Sequence, residues 1–294
     1  MTAHRTGHIA ITGRPNVGKS TLLNRLVGMK ISIVSRRPQT TRHRILGIVS
    51  RPDAQLIFVD TPGFQTQHGG ALNRLMNRAV LRSLETVDAI VPVVEGVRLT
   101  PQDRHVIELL PVTVPVLLAI NKIDRLRDRK LLLPFIDEAR RLFPFREIVP
   151  LSAQTGVGVA ELVEALKPLL PAGPPLYEPD AVTDRSERFL AAELLREKLF
   201  HALGEELPYD TTVVIDRFEE EGRLRRINAS IIVDKNSQKA IVIGAGGEKL
   251  KSIATHARRD MERLFGGRVH LEVWVRVKRG WSEDARTLRA LGYE

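Results

Sequence analysis

The sequence predicts an α/β domain with a doubly wound mixed sheet, followed by a smaller α+β domain. A glycine-rich turn at 13–20 joins an apolar run to a helical pattern, and apolar runs then alternate with helical patterns up to residue 170. Prolines cluster at 168–179, and after them strand-like and helical segments surround a second glycine-rich turn at 244–247. With 294 residues, of which 43% are hydrophobic, the chain is long enough to form two separate cores.

The turn at 13–20 reads Gly-Arg-Pro-Asn-Val-Gly-Lys-Ser, which matches the phosphate-binding pattern G-x-x-x-x-G-K-[ST]. The apolar run 9–11 before it predicts a buried strand, and the spacing of 21–26 after it predicts a helix. This arrangement points backbone N–H groups and the positive end of the helix at phosphate oxygens. We expect Lys19 to reach the β- and γ-phosphates and Ser20 to bind Mg²⁺. The candidate phosphate-binding residues are Gly13, Arg14, Pro15, Asn16, Val17, Gly18, Lys19, Ser20 and Thr21.

A second motif, Val-Asp-Thr-Pro-Gly at 59–63, follows the apolar run 56–58. A carboxylate at the end of a buried strand can hold Mg²⁺ through water, which predicts a metal-binding role for Asp60. The backbone N–H of Gly63 is then placed to contact the γ-phosphate. The motif therefore adds a candidate metal ligand and a candidate phosphate donor to the first turn.

Two further motifs predict the base that is bound. Asn121 and Lys122 precede Asp124 at the end of the apolar run 116–120. The Asp124 carboxylate can accept from the N1–H and N2–H₂ donors of guanine, and adenine lacks this pair of donors. A buried site made for those donors rejects ATP. A last apolar run ends in the sequence Ser152-Ala153, which we expect to form a loop against the base.

These four motifs occur in chain order, each at the end of a predicted strand, and residues 1–172 resemble a Ras-type GTPase G domain. The resemblance implies GTP and GDP as ligands, with Mg²⁺ held by Ser20, Thr41 and Asp60. It also implies a switch segment at 35–42, where one threonine binds Mg²⁺ when the γ-phosphate is present. Thr41 is the first choice for that threonine, and Thr40 is the alternative. The candidate catalytic residues are Lys19, Thr41 and Gly63.

One residue departs from the Ras-type pattern. Ras-type enzymes place a water-orienting glutamine directly after the glycine of the second motif, and this chain has Phe64 there. Phenylalanine has no hydrogen-bonding group, so we expect slow intrinsic hydrolysis. The substitution resembles GTPases whose activity depends on K⁺, on the switch backbone or on a partner. By the same resemblance, Asn16 fits the variety that uses K⁺.

Composition narrows the class of partner. The formal net charge is +10 and the isoelectric point is near 10.2, which favours a polyanion such as nucleic acid or an anionic membrane surface. The absence of cysteine excludes disulfides and thiol chemistry and is compatible with a reducing cytosol. No apolar run approaches the ~20 residues of a membrane-spanning helix, and the first residues lack a signal-peptide core.

The predicted strands of the first domain are 8–12, 44–50, 55–60, 88–95, 115–120 and 147–151.

A proline-rich linker at 173–186 precedes the predicted second domain, 187–294. The pattern after it is a helix, two strands, a short helix, an Ile-Gly-x-x-Gly turn, a second short helix and a strand. The remaining elements are predicted at 189–203, 211–215, 227–233 and 269–277. The connection at 217–226 is charged and contains Gly222, which predicts a hairpin between the two strands. We expect packing roles for Trp274 and Trp281; an exposed Trp281 near RNA is the alternative.

This order resembles the type II KH domain, an RNA-binding module whose Gly-x-x-Gly loop contacts the nucleic-acid backbone. A plain helix–helix turn with capping glycines is the alternative reading of the loop. The resemblance implies RNA binding by Ile243, Gly244, Ala245, Gly246, Gly247, Lys249, Lys251 and Arg258, with Arg259 further along the same helix.

A Ras-like G domain joined to one type II KH domain is similar to the Era family of bacterial GTPases. The sequences at 38–44, 186–189 and 269–278 fit that family as well. The resemblance implies a monomeric cytoplasmic factor that binds the 3′ end of 16S ribosomal RNA, assists maturation of the 30S subunit, and associates peripherally with the inner membrane. Three other classes are disfavoured. A degenerate G domain would lack intact motif residues, and a membrane-remodelling GTPase would show an amphipathic or long apolar segment. An ATPase would lack the motif Asn121-Lys122-x-Asp124.

Overall fold

The computed structural model describes residues 3–35, 41–63, 71–204 and 211–290. These residues form two compact units, the first made mostly of residues up to Asp184 and the second mostly of residues from Arg185. The division falls within the linker that the sequence predicts at 173–186, and the exact limits of the linker stay a prediction. Each unit has its own sheet and its own hydrophobic core.

The first unit is built on a mixed sheet. Its strands are β1 (Arg5–Thr12), β2 (Ile45–Ser50), β3 (Ala54–Asp60), β4 (Ala89–Glu95), β5 (Leu117–Asn121) and β6 (Glu147–Pro150). Their order across the sheet is β2-β3-β1-β4-β5-β6, with β2 antiparallel to β3 and the other neighbours parallel. The predicted doubly wound mixed sheet is therefore confirmed. The parallel arrangement brings the carboxyl ends of β1, β3, β5 and β6 to one edge, where ligands bind in such sheets.

Helices connect these strands, because parallel neighbours need long crossovers. The described helices of this unit are α1 (Lys19–Val27), α2 (Ala71–Glu85), α3 (Pro101–Glu108), α4 (Leu132–Leu142) and α5 (Val159–Leu166). A capping box fixes the start of α3: Asp103 N donates to the Thr100 hydroxyl, and the Asp103 carboxylate accepts from Thr100 N at 2.9 Å. A short 3₁₀ turn, Ile123–Arg125, follows β5.

The proline-rich stretch is hydrogen-bonded to the first unit. Gln55 on β3 is buried, and its amide donates to the carbonyl of Tyr177 at 2.8 Å while accepting from the N–H groups of Leu176 and Tyr177. Further along, Ile48 N on β2 donates to the carbonyl of Val182 at 2.9 Å. Hydrogen bonds from the Gln55 side chain and from the β2 backbone therefore hold this stretch against the sheet, in addition to the stiffness that its prolines supply.

The second unit follows the predicted order of elements, which confirms its fold class. Its described elements are α6 (Glu187–Ala202), β7 (Thr211–Glu221), β8 (Leu224–Val233), α7 (Asn236–Ile243), α8 (Glu248–Phe265), β9 (Arg268–Val277) and α9 (Ala285–Ala290). Strand β8 lies between β7, its antiparallel partner, and β9, its parallel partner. Helix α8 packs one face into the core, where Ile253, Ala257 and Met261 are buried.

The predicted hairpin is confirmed, because β7 and β8 are antiparallel neighbours joined by a short turn, but two elements of this unit are longer than predicted. The segment 217–226 is mostly strand, with only a turn at Gly222 between β7 and β8. Its charged side chains pair across or along the ribbon, as in the Arg226–Glu221 ion pair at 3.0 Å, so polarity here marks the solvent face of strands. The helix after the Gly-x-x-Gly loop is also longer than predicted, because α8 has 18 residues.

The two tryptophans differ in exposure. Trp281 is fully buried, which confirms its predicted packing role, whereas Trp274 is 44% exposed. Successive side chains of a strand point to opposite faces. Because Val275 on β9 packs into the core, its neighbour Trp274 lies on the outer face, and the prediction of a packing role for Trp274 is wrong.

Candidate functional site

The glycine-rich turn between β1 and α1 has backbone conformations that only glycine fits. Gly13 has φ 142°, and a Cβ there would lie 2.5 Å from the carbonyl oxygen of Val93. Gly18 has φ 102°, and a Cβ there would lie 2.3 Å from the side-chain nitrogen of Asn121. No described side chain caps the start of α1 at Gly18, so the N–H groups of its first turn are left for a ligand.

Lys19 lies inside this turn. Its ammonium group donates to the carbonyls of Gly13 at 2.9 Å and Arg14 at 3.0 Å, and the residue is only 6% exposed. Burial lowers the pKa of Lys19 to about 8, although the nearby Asp60 carboxylate opposes that shift. A buried lysine with two backbone acceptors is in place to exchange those acceptors for phosphate oxygens.

Asp60 collects three hydroxyl groups at the end of β3. One of its carboxylate oxygens, Oδ2, accepts from Ser20 at 2.9 Å, from Ser32 at 2.8 Å and from Thr41 at 3.4 Å. The Ser20 and Thr41 hydroxyls are 2.8 Å apart. The structure therefore brings together the three predicted metal ligands. Ser32 was missed because no motif contains it.

The other carboxylate oxygen of Asp60 suits a cation. Oδ1 is buried and has no hydrogen-bond partner in the described part of the chain. Burial also raises the pKa of Asp60, opposed by Lys19 and by the three hydroxyls. A hard cation such as Mg²⁺ prefers oxygen ligands and keeps several waters, so one carboxylate and two hydroxyls are sufficient. The residues present fit Mg²⁺.

Part of the predicted switch chemistry lies outside the described residues, namely Thr40 and Phe64. Of the two candidate threonines, Thr41 is described, and its hydroxyl lies at the predicted metal site. Gly63 follows β3 and lies against the turn, since a Cβ on it would be 3.1 Å from the Pro15 ring. Its backbone therefore lies next to the candidate phosphate site.

Asn121 joins three loops where β1, β5 and β6 end. Its side-chain nitrogen donates to the carbonyl of Val17 at 2.8 Å. Its side-chain oxygen accepts from Lys122 N at 2.8 Å and from Ala153 N at 2.9 Å. The two base-site motifs and the glycine-rich turn are thus held together by one buried amide.

The remaining residues of the base site lie around this amide. Asp124 is in the 3₁₀ turn after β5, with its side chain exposed. The Ser152 hydroxyl accepts from Thr155 N at 3.1 Å and shapes the loop that follows β6. An exposed carboxylate beside a preformed loop can receive a guanine base without first breaking an internal ion pair.

The Gly-x-x-Gly loop of the second unit presents its backbone to solvent. Gly244 ends α7 with φ 74°, and a Cβ there would lie 2.7 Å from the Cβ of Lys249. Gly246 and Gly247 also have positive φ, but a Cβ on either would meet no atom within 4 Å. The loop is therefore fixed at its first glycine, and its last two glycines leave open space above the main chain. Ala245 lies between Gly244 and Gly246 and is exposed.

The predicted cationic partners of this loop are not equivalent. Lys251 is exposed and Lys249 is half-buried beside the loop. Arg258 forms an ion pair with Glu262 one helical turn away, at 2.7 Å. The Arg258 guanidinium is therefore already engaged within α8, and the exposed Arg259 is a better candidate for an RNA contact.

The described residues contain neither a membrane-spanning helix nor a cluster of metal-binding side chains. In the ranges that the structure describes, no helix is both long and apolar enough to cross a membrane. The same residues contain no group of three or more His, Asp or Glu side chains placed to hold a metal ion. The Asp60 site described above contains a single carboxylate, so it is of a different kind.

Both units match known families. Residues 8–122 match the family described as a 50S ribosome-binding GTPase, and residues 206–282 match the KH domain family. GTPase Era of Nitrosomonas eutropha is 54% identical over 293 residues, covering 100% of this chain and 99% of that protein. GTPase Era of Chromobacterium violaceum is 53% identical with the same coverage. The predicted resemblances of both domains are confirmed.

Solved structures agree over the full length. A variant of Aquifex aeolicus Era bound to GDP and AlF₄⁻ has a TM-score of 0.93 and 39% identity, covering 98% of this chain and 99% of that chain. A structure of Era in complex with MgGDPNP and nucleotides 1506–1542 of 16S ribosomal RNA has a TM-score of 0.93 and 40% identity, with 99% of each chain covered.

Proposed function

This chain belongs to the Era family of GTPases, and we propose that it binds 16S ribosomal RNA near its 3′ end and assists assembly and maturation of the 30S subunit. Hydrolysis of GTP to GDP is the family's reaction. One observation carries the RNA proposal: the Era complex with MgGDPNP and nucleotides 1506–1542 aligns with 99% of this chain. The net charge of +10 supports a nucleic-acid partner.

At the phosphate site, Lys19 and the backbone N–H groups of 13–14 and 16–21 bind the phosphates. In the nucleotide complex the Lys19 ammonium leaves the carbonyls of Gly13 and Arg14 and stabilises the charge on the phosphate oxygens. The Gly63 N–H donates to the γ-phosphate, and its closeness to the glycine-rich turn at 13–20 supports that role. These contacts stabilise charge that develops at the transferred phosphoryl group.

Ser20, Thr41 and Asp60 would hold Mg²⁺, which when bound neutralises phosphate charge and supports the in-line displacement. The buried Oδ1 of Asp60 supports this assignment. Within the chain, the Asp60 carboxylate orients the Ser20 and Thr41 hydroxyls through hydrogen bonds. No glutamine stands at position 64 to orient the attacking water, so we expect slow intrinsic turnover.

Guanine is selected by Asp124, which accepts from two base donors, with Asn121, Lys122, Ser152 and Ala153 forming the surrounding loops. The hydrogen bonds of Asn121 support this assignment, because they join the base loops to the phosphate loop. Calorimetry with GTP and ATP tests it. We expect GTP to bind at least ~1,000-fold more tightly, because ATP leaves the Asp124 carboxylate unpaired. Equal affinities would contradict the assignment.

RNA binding is tested by filter binding of the whole protein to an RNA with the sequence of the 3′ end of 16S ribosomal RNA. A shuffled RNA of the same length and composition is the control, because it keeps the charge and removes the sequence. We expect tighter binding to the ribosomal sequence with a non-hydrolysable GTP analogue bound. Equal binding to both RNAs would leave only electrostatic association and would contradict the proposal.

The role in 30S assembly is tested separately. Cosedimentation with 30S subunits should depend on the bound nucleotide, and depletion of the protein from cells should cause precursor 16S RNA to accumulate. Normal processing after depletion would limit the function to RNA binding. We also propose a cytoplasmic location and a monomeric state, and sedimentation velocity of the purified protein tests the latter.

Activation of GTP hydrolysis by K⁺ is a further part of the proposal. Asn16 in the glycine-rich turn at 13–20 supports it, as does the absence of a glutamine at position 64. We expect faster single-turnover hydrolysis in KCl than in NaCl at equal ionic strength. Equal rates in the two salts would contradict it.

Peripheral membrane association is also proposed, and one surface supports it. Leu133 on α4 is 71% exposed, and Arg140 and Arg141 lie on the same side of that helix. Flotation with anionic and neutral vesicles tests this idea, with Leu133→Ser as the variant. Equal flotation of both proteins on anionic vesicles would show that this surface is not involved.

A further inference from the structure

Two residues with an unusual backbone conformation contact each other at the nucleotide site. Within the described chain, the non-glycine residues with positive φ are Asn16 at 66° and Lys122 at 64°. Residues with a Cβ rarely adopt this conformation and keep it where surrounding contacts hold them. The Lys122 ammonium donates to the carbonyl of Asn16 at 2.7 Å, so each strained turn is bonded to the other.

Glu95, the last residue of β4, is the counter-ion of this contact. Its carboxylate lies 2.8 Å from the Lys122 ammonium and 3.5 Å from the Arg14 guanidinium. Lys122 belongs to the base loop and Arg14 to the phosphate loop. One carboxylate at the end of β4 therefore bridges the two loops on either side of the proposed nucleotide site.

The far side of the Arg14 guanidinium is fixed as well. Its Nε donates to the carboxylate of Asp103 at 3.1 Å, and the Asp103 side chain is almost fully buried. Asp103 is itself fixed by the capping box with Thr100 at the start of α3. Arg14 is thus anchored at one end, whereas Lys122 depends on Glu95 and on the carbonyl of Asn16.

Loss of the Glu95 charge has a predictable electrostatic result. Arg14 and Lys122 are both cations, and they meet at the same carboxylate. Without it the two cations repel each other, and the Asn16 carbonyl is the acceptor that the described residues still offer to the Lys122 ammonium. The carbonyl carries only a partial charge, so it holds the lysine less firmly than a carboxylate does.

We propose that Glu95 is a positioning residue that holds Arg14 and Lys122 across the phosphate and base loops and thereby slows dissociation of the bound nucleotide. Glu95 acts through these two side chains and is not a catalytic residue. The inference rests on the proposed nucleotide site. It predicts that nucleotide release and hydrolysis respond differently to a change at Glu95, because the phosphate contacts of Lys19 stay intact.

The test is Glu95→Gln, which keeps the shape of the side chain and removes its charge. Release of a fluorescent GDP analogue and of a non-hydrolysable GTP analogue is measured by displacement with excess unlabelled nucleotide. We expect both release rates to rise about 10-fold, since loss of one partner of a charge pair acts mainly on dissociation. Single-turnover hydrolysis should stay within about 2-fold of the unmutated rate.

Glu138→Gln is the matched control. It makes the same chemical change in an exposed ion pair, in which Arg104 contacts Glu138 at 2.7 Å on the surface. Its release rates should equal those of the unmutated protein. Added salt should also speed release from the unmutated protein more than from Glu95→Gln, because the Glu95 carboxylate is partly exposed and can be screened.

Glu95→Asp is the second variant and guards against a folding defect. It keeps the charge but withdraws it by one methylene, so we expect an intermediate release rate. Unchanged release in a folded Glu95→Gln protein would overturn the proposal, as would a fall in hydrolysis as large as the rise in release. If neither variant folds, Glu95 is a folding residue and the proposal is wrong. Normal binding by Lys19→Ala would instead reject the nucleotide site itself.

Discussion

The molecule contains two glycine-rich loops that each precede a helix, and we assign both to phosphate groups, yet they are built differently. In the first, a Cβ on Gly13 or Gly18 would collide with an atom of a neighbouring strand or loop. In the second, Gly246 and Gly247 face open space. The first loop is enclosed by the sheet edge, and the second stands on the surface between two helices.

This difference in enclosure carries over to the charged groups. Lys19 is buried with two carbonyl partners, and its pKa is lowered to about 8, whereas Lys251 beside the second loop is exposed. A buried charged group such as the Lys19 ammonium makes strong hydrogen bonds to the bound phosphate, so its removal costs much of the binding free energy. Exposed charges act through screened attraction to a polyanion. Substitutions in the enclosed loop should therefore have large effects that vary little with salt, and those in the open loop smaller effects that vary strongly with salt.

Lys19→Ala should give the largest effect. Removal of the ammonium leaves phosphate charge uncompensated, so GTP affinity should fall at least ~100-fold, about 2.7 kcal/mol, and turnover should be lost. Calorimetry and a phosphate-release assay measure both. Lys130→Ala, a change at an exposed lysine, is the control and should behave as the unmutated protein. Full hydrolysis by Lys19→Ala would remove the distinction between the two loops.

Asp124→Asn should come next. The substitution replaces an acceptor by a donor opposite guanine, so we expect GTP to bind ~100-fold more weakly and xanthosine triphosphate to bind better than GTP. Asp137→Asn on the outer side of α4 is the matched control and should change neither affinity. A variant that still prefers GTP would mean that the exposed Asp124 carboxylate does not contact the base.

The open loop is tested by Ala245→Asp combined with Gly246→Asp. Two carboxylates beside the exposed backbone should weaken RNA binding at least ~10-fold, about 1.4 kcal/mol, without changing GTP hydrolysis by the G domain. Ala245→Asn with Gly246→Asn is the control, because asparagine has the same shape and also tolerates the positive φ of 58° at Gly246. Undiminished RNA binding by a folded double aspartate variant would favour the plain helix–helix turn.

A pH change should produce a smaller effect at the enclosed loop. Bound phosphates keep Lys19 charged, whereas the free protein releases that proton near its pKa of about 8. Binding then requires uptake of a proton above that pH, so GTP affinity should fall about 4-fold between pH 7 and pH 8.5. Equilibrium titrations at the two pH values measure this. An affinity that rises with pH would contradict the assignment of this shift to Lys19.

The smallest expected effects distinguish two cations of α8. Lys251→Ala should weaken RNA binding about 3-fold and reduce the slope of log affinity against log salt by about 1, because one phosphate contact is lost. Arg258→Gln should leave that slope nearly unchanged, because its guanidinium is paired with Glu262. Filter binding at several salt concentrations compares them. A larger change of slope for Arg258→Gln would show that its ion pair opens for RNA.

The same contrast explains what the sequence could predict. The motifs of the enclosed loop lie at the ends of apolar strands, where both the spacing of apolar residues and the positions of the glycines are restricted. The strands and most candidate site residues can therefore be predicted from local sequence patterns. Ser32 and Glu95 could not be found this way, since each is a single polar residue brought to the site by another strand or loop. No spacing within the chain reports such a contact.

In the second unit, local sequence patterns mispredicted strand length and side-chain exposure, partly because charged residues on the solvent face of a strand have the composition of a loop. The charged run at 217–226 is typical of a connection, yet its side chains pair on the outer face of a two-stranded ribbon. Trp274 has the composition of a core residue, but its place on β9 depends on which of two alternating faces meets α8. Which face of a strand packs against a helix depends on the tertiary structure, and the alternation of apolar residues along the sequence does not determine it.

The hydrogen bonds of Gln55 have a consequence for the modularity of these two domains. Strand β2 is an edge strand, and the stretch up to Val182 covers part of that edge while it satisfies the buried Gln55 amide. A G domain cut at 172 would expose unpaired strand groups and leave the buried Gln55 amide with the Ser50 hydroxyl in place of its three bonds to Leu176 and Tyr177, so it should be prone to aggregate. Fusion of this GTPase to a different RNA-binding module should therefore join the chains after Asp184, so that the prolines are transferred together with the GTPase.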